Sequence, residues 1–376
     1  MRVSEGRIGV HSGWDLDDAA AWSGVIAPMV RAMESTLRTE RLVVDVPADA
    51  PVDRLRARLS SRTVLPAHSP ATARRRSSRL AGAVHRTDVD AVVALAASTD
   101  LVRDPGAPVV QVTDATFDAV AGFYPQFSGL SRGSLRRGRR VERLAARSTA
   151  HYLVATDWAA RSLIDDVGVD AGHVSVAPFG PAIAPPSAPS DGHADRSPGD
   201  LADPRPTPRG YTGALRLLFV AGAWERKNGE AALRIVRELG RTRDVELTIV
   251  GSAPTHAEAV GTVLGRVDRS QLSALYSSHD VLLEPARANA SGVVITDALH
   301  HGLPVLASDV GGVSTLVRPG VGGWLVPLYG VVDASVDALS DVEPATLRAL
   351  SRTAAEDARR RLTWSAWVAA LGGIDL

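Results

Sequence analysis

The string WERKNGE, from Trp224 to Glu230, follows the apolar run LRLLFVAG and sets Arg226 beside Lys227 at a strand-to-helix turn. Lys227 is the sole lysine of the chain, and every other basic side chain among the 42 is arginine. A position that keeps an ammonium against that background wants a compact point charge and not a planar fork. Gly222 lets the chain turn before them, so the two cations can project toward whatever occupies the strand ends. A second segment, ANASGVVITDALHHGLPV, opens a helix at Ser291 and Gly292. Ser291 is suited to cap that helix, and bare amides at Gly292 and Val293 would make an anion site. Asp297, farther along the helix, is placed to accept hydrogen bonds from hydroxyl groups of a bound ligand. In SDVGGV, the pair Gly311 and Gly312 suits either a close approach of backbone to a ligand or a plain tight turn. Before a further helix, Val267 could offer its backbone to a planar base. Together these residues suit the holding of an anion that also carries hydroxyls. The alternative, in which Arg226, Lys227 and Asp297 are merely solvated charges on helices, stays open at this point.

The elements that must position them alternate between strand and helix. In the first half, RIGVHS (7–12), LVVDVP (42–47), DAVVALAA (90–97), PVVQVT (108–113) and HYLVAT (151–156) read as short buried strands. In the second half, LRLLFVAG, VELTIVG (245–251), VLLEPA (281–286), PVLASD (304–309) and GWLVP (323–327) repeat the style. Continuous apolar strands separated by helices imply parallel sheets covered on both faces, and ligands at the carboxyl ends of the strands. A chain of 376 residues is long for one core, so two doubly wound Rossmann-like domains facing a central cleft are expected. The boundaries expected are 1–180, a Pro-rich linker 181–210, a second domain 211–355, and a C-terminal segment 356–376. In that segment Leu362, Trp367, Val368 and Leu371 share one helical face, and the arginine run before it reads as solvated surface.

Composition excludes several classes. The 42 basic and 42 acidic residues leave a formal net charge of 0, which argues against a nucleic-acid partner. No cysteine is present, so disulfides, thiolate metal sites and a cysteine nucleophile are all excluded. The N-terminus lacks the apolar core of a secretory signal and no stretch approaches 18 apolar residues, so a cytoplasmic protein with no integral membrane segment is expected.

In order, spacing and context, four segments resemble the C-terminal half of family 4 glycosyltransferases of GT-B fold. They are WERKNG, then the run from Tyr276 to Pro285, then Asn289 to Asp297, then GLPVLASDVGGV. In the first half, Trp22, Ser23 and Gly24 look like the family's glycine-bearing loop, and the final tryptophan-bearing helix resembles the one that crosses back to the first domain. The resemblance implies a retaining, metal-independent glycosyltransferase that moves a sugar from UDP or GDP to a small-molecule acceptor, with the nucleotide-sugar donor as co-substrate and no other cofactor. The chain's arginine-rich composition suggests a tailoring enzyme of bacterial specialised metabolism, including antibiotic biosynthesis. The acidic residues Asp15, Asp17 and Asp18 lie before a helix, where carboxylates favour the dipole, and are not assigned to a metal.

By the same resemblance, Lys227 and Arg226 grip the donor diphosphate with Gly24, Gly222, Ser291, Gly292 and Val293, while Val267 meets the base. Asn289 and Asp297 stand where the family has two glutamates, the first contacting sugar hydroxyls and the second the ribose. An altered donor sugar follows from that departure, or loss of activity. Asp114 stands near where the family often has a histidine; it would orient the acceptor or act as a weak base, and otherwise is a turn aspartate. The acceptor is expected among His11, Trp14, Phe117 and Tyr124, whose aromatic rings could equally fill a core. His300 and His301 are expected at the surface. Other uses of the same architecture are a GT-B epimerase or phosphorylase, and a non-catalytic protein that binds a nucleotide or a partner. Oligomeric state and the acceptor's attacking atom are left open by the sequence.

Overall fold

The computed structural model describes residues 1–44, 51–185 and 213–376. The Pro-rich linker expected at 181–210 lies outside the described residues from 186 onward, as do residues 45–47 of the expected strand LVVDVP.

Two six-stranded parallel sheets account for the alternation read from the sequence. The first contains β1 (Arg7–Ser12), β2 (Arg38–Arg41), β3 (Ala91–Leu95), β4 (Val109–Thr113), β5 (His151–Val154) and β6 (Val174–Val176), in the order β2-β1-β3-β4-β5-β6. The second contains β7 (Leu215–Ala221), β8 (Val245–Gly251), β9 (Thr262–Gly265), β10 (Val281–Glu284), β11 (Val305–Ser308) and β12 (Gly323–Val326), in the order β12-β11-β10-β7-β8-β9. Every residue of β3, β4, β10 and β11 is buried, as strands covered by helices on both faces require. In the second sheet the winding reverses between β7 and β10. Loops leaving these two strands diverge to opposite faces and open a crevice at their carboxyl ends.

Three local expectations shift. The strand expected at 42–47 is β2, which ends at Arg41, although the Leu42 amide still bonds to the Val10 carbonyl. The short strands β6 and β9 are not among the strands expected, since 3 and 4 residues are too few to set a period. The C-terminal crossing comes later than 356: the helix Pro344–Arg361 packs on the second domain, and the helix Trp364–Gly372 on the first. Trp367, Val368, Leu371 and Ile374 enter the first domain's core, and the Val3 amide bonds to the Ile374 carbonyl at 3.0 Å. The arginine run is not simply solvated, since Arg360 and Arg361 both pair with the buried Asp357. No helix among the described residues is long and apolar enough to cross a membrane.

Candidate active site

A cavity of about 840 Å³ lies between the two sheets, lined from both domains. Its second-domain wall follows from the reversal of winding. The loop after β7 brings Gly222, Arg226 and Lys227, and the loop after β10 brings Asn289, Ser291, Gly292 and Val293.

Arg226 lies with its guanidinium carbon 5.4 Å from the centre of the Tyr124 ring and donates to the Ala288 carbonyl at 2.9 Å. Lys227 is buried, and its ammonium donates to the carboxylate of Glu284, which is fully buried at the end of β10. Burial pushes the lysine pKa down and the neighbouring Arg226 adds to that, while the Glu284 charge opposes it. The same Glu284 oxygen accepts from the Asn289 amide nitrogen at 3.1 Å, and the Asn289 carbonyl oxygen accepts from the Gly292 amide at 2.9 Å. The cation, carboxylate, carboxamide and helix start are thus one hydrogen-bonded chain.

Gly292 begins the helix Val293–His300 with φ 55°, and an added Cβ would lie 2.4 Å from Leu316. Ser291 does not cap this helix, contrary to expectation. Its hydroxyl turns to the first domain and donates to Asp114 at 2.9 Å. Asp114 also takes a hydrogen bond from the Trp22 side chain, and burial raises its pKa against both bonds. The Tyr124 hydroxyl accepts from the Ala290 amide at 2.9 Å, and burial pushes its pKa up to about 12. Asp297 accepts from the amides of Ala182 and Ile183 at 2.8 and 3.1 Å, and burial raises it to about 7. The Ser291–Asp114 and Ala290–Tyr124 bonds join the two domains, and the Asp297 bonds tie the second domain to the segment that leaves the first.

The first-domain wall has an unusual backbone. Trp22, Ser23 and Gly24 are all left-handed, at φ 48°, 61° and 86°, a conformation that costs on the order of 1–3 kcal/mol for a residue with a side chain. The cost is met by tight surroundings. Trp22 stacks on Trp14, and a Cβ on Gly24 would lie 2.7 Å from Arg269 of the second domain, whose guanidinium reaches the Ala19 and Ala182 carbonyls.

Most residues expected at the site do line this cavity: Gly24, Gly222, Arg226, Lys227, Asn289, Ser291, Gly292, Val293, Asp297, Asp114, Trp14, Phe117 and Tyr124. Two do not. His11 is buried behind the wall, bonded to Asp100 at 2.9 Å, because it lies within β1 and not on the loop after it. Val267 packs against the second domain's apolar cluster and is absent from the lining. His300 and His301 are buried, since their helix is enclosed on both sides: His300 bonds to the Leu362 carbonyl and His301 to Ser273. Gly311 and Gly312 permit close approach to backbone and not to a ligand, for added Cβ atoms would lie 2.2 and 2.1 Å from the Asn289 and Ala290 carbonyl oxygens.

Sequence reasoning missed Glu284 and Glu142. Glu284 closes an otherwise apolar strand, a signal in itself. Glu142 sits in the arginine-rich helix Arg132–Arg147 and reads as one charge among many, yet it faces the cavity. It accepts from the Phe117 amide at 3.1 Å and from Ser98 at 3.4 Å, and burial pushes its pKa up to about 7. A raised carboxyl pKa means that the folded chain binds more protons than the unfolded one between about pH 4.5 and 7, so stability falls as pH rises through that window. Glu142→Gln should therefore stabilise the chain relative to the parent at pH 8 by on the order of 3 kcal/mol, seen as a higher melting temperature, with little difference at pH 4.5. Melting curves at the two pH values check this; an equal difference at both would contradict it.

Residues 214–342 match the family described as Glycosyl transferases group 1. This group 1 match holds β7 to β12, and with them the loops that carry Lys227, Asn289 and Asp297. D-inositol 3-phosphate glycosyltransferase 2 of Catenulispora acidiphila is 30% identical over 250 residues, covering 60% of this chain and 56% of the relative. The chain thus spans about half the length of the curated relatives it matches. Among solved structures, a sucrose-phosphate synthase from Thermosynechococcus elongatus superposes with a TM-score of 0.68 at 16% identity, covering 97% of each chain. Anabaena HepE in complex with UDP superposes with a TM-score of 0.59 at 15% identity, covering 97% of each chain. The architecture is therefore GT-B, two Rossmann-like α/β domains with the group 1 match in the second.

Proposed function

We propose that the chain is a retaining glycosyltransferase that moves a sugar from a nucleoside diphosphate, UDP or GDP, onto a small-molecule acceptor without a metal. The observation that carries this is the meeting of Arg226, Lys227 and the N-terminus of the helix Val293–His300 in one interdomain cavity, at the reversal of winding between β7 and β10. The match to group 1 glycosyl transferases, the relatives named as inositol phosphate glycosyltransferases and the UDP held by HepE support the same chemistry.

As the bond from the anomeric carbon to the β-phosphate oxygen breaks, its electron pair goes to that oxygen, and negative charge grows there. Fixed cations and first-turn amides aimed at the oxygen stabilise this charge without rearranging. Arg226, Lys227 and the first-turn amide at Val293 all line the cavity and would supply them. The acceptor atom bonds to the anomeric carbon from the face the phosphate leaves, and its proton passes to the departing phosphate oxygen. Asp114, held by Ser291 and Trp22, orients the acceptor and is not required as a base. Donor specificity lies with Asn289, which offers an amide where a carboxylate would bind sugar hydroxyls with charge.

Equilibrium binding of UDP and GDP tests the site. One of them should bind, and Arg226→Ala should weaken it about tenfold or more, a loss in line with a charge-assisted contact of 1.5–3 kcal/mol. Binding of neither, or equal binding by the variant, would overturn the proposal. Asp114→Asn should leave nucleotide affinity within about twofold while lowering transfer about tenfold, because the carboxylate belongs to the first domain, to which the proposal assigns the acceptor. Parallel nucleotide titrations and initial rates check that split.

A further inference from the structure

We infer that Glu284 is a positioning residue of the donor site: from the end of β10 it holds the Lys227 ammonium and, through Asn289 and the Gly292 amide, the start of the helix Val293–His300 in the places a diphosphate requires. The inference rests on nucleoside-diphosphate binding in this cavity. It goes beyond that by naming a residue that is itself outside the cavity lining.

Three observations meet here. The Glu284 side chain is fully buried and Lys227 nearly so, and they bond directly. One Glu284 oxygen serves both Lys227 and Asn289, and Asn289 in turn accepts from the Gly292 amide, so a single carboxylate sets a cation and a helix start that come from different loops. Its other oxygen is buried and has no hydrogen-bond partner among the described residues, so within them the carboxylate is held by this network and not by a wider one. Asn289 brings no charge, which leaves Glu284 as the negative group of the network.

The electrostatic surroundings explain why a carboxylate is needed. Lys227 faces Glu284 from β10 and Arg226 from its own helix. Around Glu284 stand the phenols of Tyr124 and Tyr276, and Tyr276 in turn faces Asp297. Burial and the Arg226 charge both favour the neutral amine, and Glu284 alone among these neighbours opposes them strongly. A neutral amine would give little stabilisation to a leaving phosphate. Glu284 therefore acts through Lys227, opposing its deprotonation and aiming the ammonium along one direction.

The chain's single lysine makes this measurable directly. In protein labelled with ¹³C and ¹⁵N at lysine, one side-chain signal reports Lys227 alone. In Glu284→Gln, that signal should titrate at least one pH unit lower than in the parent, a tenfold loss of proton affinity. The alkaline limb of donor turnover should move down by the same amount. If the glutamine chain does not fold, Glu284→Asp, with its carboxylate one methylene farther from the amine, should still lower the Lys227 titration. An unchanged Lys227 titration in a folded variant would overturn the inference. The lysine titration needs no turnover, so absence of transfer in parent and variant alike would count against glycosyl transfer and leave the role of Glu284 to be decided by the titration.

Discussion

Lys227→Ala is expected to lower donor turnover about 10²–10³-fold, the loss typical when one preorganised donor to a developing oxyanion is removed. It should also destabilise the chain by about 3–5 kcal/mol, because Glu284 is left as a buried charge without its partner. The two effects have separate causes and can be separated. In Lys227→Met/Glu284→Leu both charges go, and apolar side chains of similar volume fill their place, an exchange that is often neutral or stabilising. The melting temperature should return to near the parent value while turnover stays low. Recovery of turnover together with stability would mean that Lys227 serves the fold and not the leaving group.

Gly312→Ala should have the second largest effect, through sterics alone. The backbone at Gly312 is at φ −90°, which alanine adopts freely. The added methyl carbon, however, would lie 2.1 Å from the Ala290 carbonyl oxygen and 2.4 Å from a Thr156 methyl, so one neighbour must move. Thr156 is fully buried and caps the helix Asp157–Ser162, so the loop at 289–290 is the part that gives. That loop carries Asn289 and the amide bound by Tyr124. A destabilisation of about 2–3 kcal/mol is expected from the overpacking, with nucleotide affinity reduced about tenfold as Asn289 loses its register. Denaturant melts and nucleotide titration check both; a methyl accommodated with unchanged affinity would show that this loop is not held by the glycine pair.

Much of this was legible in the sequence. Parallel strands buried on both faces leave continuous apolar runs, and β1, β3, β4, β5 and the strands β7, β8 and β10 to β12 are near where those runs lie. The cations of WERKNGE and the helix opening at Gly292 could be placed together because both follow strands that end at the same crevice. What could not be read is which partner each polar group takes. Ser291 suits a helix cap by type, but its hydroxyl bonds to Asp114, 177 positions away. Asp297 suits a ligand hydroxyl, but in the structure its bonds go to amides at 182 and 183. His11 suits an acceptor site by type, but its ring pairs with Asp100, 89 positions away, behind the cavity wall. Trp22 and Ser23 take left-handed backbone although neither is glycine, beside Trp14, which stacks on Trp22, and Arg269 of the second domain, which packs on Gly24. Each of these is a long-range contact, and local pattern carries no record of it. Glu284 is the exception: a glutamate ending an apolar strand, in a chain with one lysine, was a signal available from composition alone.

Glycosyl transfer with retention is tested most directly by incubating the chain with a panel of UDP- and GDP-sugars, with and without candidate acceptors. Release of nucleoside diphosphate is followed, and the anomeric configuration of the released or transferred sugar is read by NMR. The prediction is that one donor is consumed, that its sugar keeps the donor's configuration, and that Lys227→Met/Glu284→Leu lowers the reaction about 10²–10³-fold while remaining folded. Inversion of the sugar, or no donor consumed by the folded chain across the panel, would contradict it.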